Sequence, residues 1–132
     1  MIALVKGCVN FYISRFRKNY AGYFHEFRFY IWLAVLAAFL DFLTTWRFMK
    51  EGGIEDELHP VIRLVSIFAG PLAGPLIGKV CQLAALGFLT IVFRKAARII
   101  FIPIIVIYLY AAWYNTWGTC LYTPLFLRLL SF

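Results

Sequence analysis

Asp41 and Lys79 interrupt two long apolar runs, "FYIWLAVLAAFLDFLTTWRFM" (29–49) and "PLIGKVCQLAALGFLTIVF" (75–93). A carboxylate and an ammonium in such surroundings can lock two helices together, relay a proton or ion, or contact a polar headgroup. An unpaired charge inside an apolar medium is expensive, so the two are expected to pair. Thr44 and Thr45 follow Asp41 by three and four residues, and Gln82 follows Lys79 by three. At helical spacing these polar groups share a face with their charge and predict a polar seam. The plainer expectation is a structural lock; the functional one is a polar site built on Asp41, Lys79, Thr44 and Gln82. Lys79 also stands one turn from Pro75, close enough to snorkel outward instead.

The other candidate groups lie in "KEGGIEDELHP" (50–60), which holds four of the six acids. Glu57, His59 and Pro60 are its notable members. Pro60 suits the first position of a helix, and the acids before it complement that helix's positive end. Asp41, Glu57 and His59 could be imagined as metal ligands or as the acid and base groups of a lipid-directed enzyme. Glu57 and His59 are only two apart in a loop, so no metal site is expected and His59 is read as a cap or surface residue. No nucleophile elbow, metal motif or phosphate-cradling loop is present, so no catalytic residues are assigned and an enzyme is not expected. Cys8, Cys81 and Cys120 are too far apart for a metal or redox motif.

These groups need a scaffold, and composition restricts it. Of the 132 residues, 64% are hydrophobic, 20% aromatic and 14% charged, with a mean hydropathy of +0.83. A soluble domain of this size has too much surface to hide so much apolar material. The expected class is an all-α integral membrane protein. The net charge of +7 then orients the chain and meets anionic headgroups. A nucleic-acid partner is not expected, because no basic face with interleaved aromatics lies outside the apolar spans.

Residues 1–28 form a basic arm carrying five Lys/Arg against Glu26. Ile2, Val5, Val9, Tyr12, Ile13 and Phe16 share one helical face, which predicts an amphipathic interfacial helix. A three-span membrane domain follows over 29–117, with spans at about 29–49, 75–93 and 99–117. Val61 to Phe93 is too long for one span, and Gly70-Pro71 and Gly74-Pro75 offer a break. A short interfacial or re-entrant helix is therefore expected over 60–69. Gly70, Gly74 and Gly78 make a smooth ridge suited to close helix packing. Residues 118–132 form an apolar tail expected on membrane or partner. The basic arm and "RKAAR" (94–98) fall on one side of a three-span layout, which puts the N-terminus in the cytoplasm and the C-terminus outside. Asp41 then stands about 20 Å from Arg28, and Lys79 about 22 Å from Arg94, nearly the same level. Tyr108, Tyr110 and Trp113 could contact a ring-bearing lipid such as a quinone or carotenoid, although such clusters more often form an interfacial belt.

The stretch from Asp41 to Lys79, "DFLTTWRFMKEGGIEDELHP" with its Gly-Pro break and later lysine, resembles a family of small bacterial multipass membrane proteins of unknown function. Thr44, Gly53, Glu57, Pro60 and Lys79 stand in the matching places, and His59 stands where asparagine is expected. The resemblance implies a membrane domain of three or four helices in the bacterial cytoplasmic membrane, and it implies no activity. The leading functional expectation is a non-catalytic small membrane subunit or scaffold of a larger complex. The alternative is a small oligomeric transporter or ion- or proton-conducting protein that uses the Asp41–Lys79 site. Expected partners are membrane lipid and other subunits, or further copies of the same chain.

Overall fold

The computed structural model describes residues 2–57 and 59–117, with side chains from residue 9 onward except Asp56. The apolar tail at 118–132 lies outside the described residues. The described chain is helical with no strand. α1 runs Ile2–Tyr20, α2 Tyr23–Gly52, α3 Pro60–Val92 and α4 Ala97–Trp117, with single 3-10 turns at Ile54–Asp56 and Arg94–Ala96. Three segments are long and apolar enough to cross a bilayer: Tyr23–Gly52, Pro60–Val92 and Arg94–Trp117.

Local chemistry explains where the helices break. α1 ends in its own basic turn of Arg17 and Lys18, favourable against the negative end of a helix. Gly22, at φ +73°, then allows the chain to restart as α2. α2 starts six residues before the expected span, because nothing in "YFHEFR" opposes a helix.

α3 is two helical arms joined at one residue. Gly70 adopts φ +88° and ψ +169°, a region open essentially to glycine alone. Pro71 follows as the first residue of the second arm, where its fixed φ fits and its missing N–H is not needed. The helix therefore resumes at Pro71 rather than at Pro75. Pro75, one turn on, forfeits the bond its N–H would have given to the Pro71 carbonyl, and the helix continues through it.

The two arms fold back on each other. A methyl group built on Gly74 would fall 2.5 Å from the Ser66 Cα, and one on Gly78 would fall 3.2 Å from the Ile62 Cγ1. These pairings are symmetric about Gly70, so 60–69 runs antiparallel along the start of 71–92. Gly70, expected in the same packing ridge, is the turn between the arms with nothing within 4 Å of a built methyl, whereas Gly74 and Gly78 are covered by the chain's own first arm. That arm turns Phe68, 85% exposed, along with Val61, Leu64 and Ile67 to the outside.

α2 is the central helix. It packs most extensively on α4 and less on α3, while α3 and α4 touch little. Tyr23, Phe27, Ala34, Leu86, Ile91, Ala97 and Phe101 form the main core. Ala37, Ala38 and Tyr108 form a second cluster further along α2. α1 lies against the end of α3, where Phe16 stacks on Phe88 at 5.5 Å between ring centres. Val9, Tyr12 and Ile13 on the same helix stay exposed.

Candidate functional site: a charged pair at the end of an apolar cleft

Asp41 projects from α2 and Lys79 from the second arm of α3, and the two form an ion pair. Both are buried, at 3% and 7% exposed. The pair is the centre of a longer chain of bonds. Lys79 Nζ also donates to Gln82 Oε1 at 3.2 Å and lies 4.7 Å from the centre of the Tyr108 ring. All three directions of the ammonium therefore meet an acceptor or an aromatic face. The Thr45 hydroxyl donates to Asp41 Oδ1 at 3.3 Å and accepts from Asn115 Nδ2 at 2.9 Å. The network ties α2, α3 and α4 together at one level.

The expected members fare differently. Gln82 joins the pair. Thr44 does not: its hydroxyl bonds back to the carbonyls of Leu40 and Asp41 at 3.1 and 3.0 Å. Thr45, on the same face of α2, makes the bond to the Asp41 carboxylate instead. Asn115 and Tyr108 were not foreseen as partners of the pair. A lone amide seven residues from Tyr108, on the same face of an apolar helix, was the available signal.

The loop before α3 reaches the same place. His59 caps α3, its Nδ1 accepting from the Ile62 N–H at 3.4 Å. Glu57 Oε1 in turn accepts from the His59 N–H at 2.9 Å. With Ile62 against Gly78, the start of α3 lies beside Lys79, so His59 stands back from the end of α2 toward the ion pair. Glu57 and His59 line one cleft with Asp41 and Lys79. Among the described residues, no group of three His, Cys, Asp or Glu side chains is placed to share a metal ion.

The cleft, about 760 Å³, opens between α3 and α4 where these helices diverge. One end carries Asp41, Lys79, Gln82, Glu57, His59 and Asn115; the other is walled by Leu86, Leu89, Ile100 and Ile104. Along α4, Asn115 and Ile100 are separated by about 22 Å at helical rise. Tyr108 and Tyr110 line the cleft, whereas Trp113 packs on Tyr110 at 5.8 Å between ring centres and does not line it. The shape is polar at one end, greasy along its length and open at the side. No protein-family model matches the chain, and no curated protein or solved structure does.

Proposed function

We propose that this chain is a small non-catalytic membrane subunit that holds an amphiphile in the cleft between α3 and α4. The polar head lies at Asp41, Lys79 and Gln82, and the apolar body runs toward Leu89 and Ile100. The observation that carries the proposal is the cleft's polarity gradient: a satisfied charge network at one end and a purely aliphatic groove at the other. Ligand sites have this character, with extensive apolar lining and a few placed polar groups.

The bilayer setting rests on three segments of 30, 33 and 24 residues with spanning hydropathy, and a hydrocarbon core of about 30 Å needs about 20 apolar residues. α1 then lies in the interface and 60–69 re-enters beside the second span. The basic arm and the 94–98 turn face the cytoplasm and the charge-rich 50–60 loop faces outward. The resemblance of 41–79 to small bacterial membrane proteins supports a bacterial cytoplasmic membrane and suggests no chemistry.

The test is to purify the full chain in a mild detergent, extract it with organic solvent and identify bound amphiphiles by mass spectrometry. Wild type is expected to carry one amphiphile species in near-stoichiometric amount. Ala85→Trp, which fills the groove without touching the ion pair, is expected to lose it while keeping the same oligomeric size. A lipid profile equal to that of the bulk membrane in both proteins would sink the proposal.

Conduction is favoured by a different feature, the placement of two buried ionisable groups on an open cleft. It requires flux in liposomes that Asp41→Asn abolishes with assembly intact. The same purification reports co-purifying subunits.

A further inference from the structure

A second cleft, of about 580 Å³, lies between α1 and the turn joining α3 to α4, at the end of the molecule where α2 begins. Arg15, Lys18, Arg94 and Lys95 line it, with Glu26 the one acid. That acid is already engaged: Glu26 Oε2 accepts from Arg94 Nε at 2.9 Å and Nη2 at 2.7 Å. Arg94 Nη1 is engaged too, donating to the carbonyls of Asn19 at 2.9 Å and Ala21 at 2.8 Å. Among the described residues, Arg15, Lys18 and Lys95 have no carboxylate partner. Arg15 lies over the Phe11 ring at 4.7 Å from its centre, so two lysines and an arginine held on an aromatic face line a cavity whose carboxylate is already engaged.

The cavity also has an apolar side. Val92 and Phe93 form part of its wall, and Phe93 meets the Tyr12 ring at 6.5 Å. Phe93, Tyr12 and Ile13 are exposed, so the basic cavity borders an open apolar edge. A free phosphate would satisfy the cations and leave that edge uncovered. An anion joined to hydrocarbon covers both.

We propose that this cleft binds the phosphate headgroup of an anionic membrane phospholipid, its acyl chains lying along Phe93, Tyr12 and Ile13. The proposal rests on the membrane-embedded reading of the chain and is independent of any ligand at Asp41. Asn19 and Arg94 hold the floor in place: Asn19 Nδ2 donates to the carbonyls of Ile91 and Val92 at 2.9 and 3.0 Å. The three cations thus stand around a fixed frame rather than on a loose arm.

The full chain in detergent is titrated with phosphatidylglycerol and with phosphatidylcholine, and retained lipid is counted by native mass spectrometry. Wild type is expected to retain one phosphatidylglycerol in preference to phosphatidylcholine. Lys18→Gln and Lys95→Gln are each expected to weaken retention severalfold, and together by at least about tenfold, from the attraction of one lysine to an anionic lipid. Arg98→Gln, an exposed basic residue at the same end outside the cleft, is expected to change little. Equal retention of the two lipids overturns the proposal, as does an Arg98→Gln loss as large as that of the double variant. Displacement by glycerol phosphate at equal concentration also overturns it, by assigning the site to a free phosphate. Flotation of each variant with pure phosphatidylcholine vesicles reports insertion separately, so a failure of the membrane reading is distinguishable from a failure of this site.

Discussion

At the scale of single residues, the Asp41–Lys79 pair can be tested as a lock. Removing one partner strands a buried charge, which costs about 3–5 kcal/mol, whereas replacing both with uncharged groups of similar size is often nearly neutral. Asp41→Asn and Lys79→Met are each expected to lower thermal stability in detergent, and the double variant to recover most of the loss. Failure of the double to recover would show that each charge has a separate task. The two charges and Gln82 were legible because an ionisable group in an apolar run must find a partner and the candidate partners were few. Asn115 and Tyr108 were harder to find, and the choice between Thr44 and Thr45 stayed open. A threonine three residues from the acid and one four residues away both satisfy the spacing, and only the rotation of α2 against α4 decides between them. The same holds for the buried hydrogen bond between the hydroxyls of Tyr23 and Thr90. A threonine within a span can bond its own helix, as Thr90 does to Leu86 at 2.7 Å, so its second partner is set by packing.

At the scale of elements, the hairpin of α3 makes its glycines unequal. Gly-Pro at 70–71 announced the break, since few other sequences stop a helix so abruptly. That the two arms close on each other is concealed in the sequence, because a small-residue ridge suits any helix and does not single out the adjacent arm. Ser66, four residues before Gly70, was the missing clue: it extends the small-residue spacing to 66, 70, 74 and 78. Its hydroxyl is buried with no hydrogen-bond partner among the described residues, so its size rather than its polarity suits the position. Gly74→Ala places a methyl 2.5 Å from the Ser66 Cα, and backbone cannot step aside as a side chain can. It is expected to cost several kcal/mol, with no rescue by Ser66→Gly. Gly87 lies in the same helix with nothing within 4 Å of a built methyl, so Gly87→Ala is expected to be neutral or to stabilise by about 0.5–1 kcal/mol. Thermal unfolding in one detergent compares the two directly. Equal effects at 74 and 87 would mean that the arms do not close in solution.

At the scale of the whole molecule, two polar side chains, Arg94 and Asn19, fasten the first helix to the rest. α1 has no acid-base pairing of its own among the described residues and packs mainly on α3. Arg94 reaches from the α3–α4 turn to Glu26 and to two carbonyls at the α1–α2 junction, while Asn19 reaches back to the last carbonyls of α3. The C-terminal end of a helix leaves carbonyls without partners, and here an amide from another helix meets them. The planar guanidinium makes four bonds in a fixed fork, and an ammonium on a flexible stem cannot span the same acceptors. Arg94→Lys keeps the charge and should still release α1, at a cost of about 1.5–3 kcal/mol from hydrogen bonds to a charged group. Limited proteolysis across 19–22 measures it: cleavage should accelerate in Arg94→Lys and Glu26→Gln and stay unchanged in Lys95→Gln. If Arg94→Lys cleaves at the wild-type rate, α1 is held by Asn19 and the Phe16–Phe88 contact instead, and Asn19→Ala or Phe16→Ala should then release it. The basic composition of this end carries the expectation that it faces the cytoplasm. Among Arg15, Lys18, Arg94 and Lys95, composition does not single out the cation that bonds across the fold; the carbonyls within reach of Arg94 do.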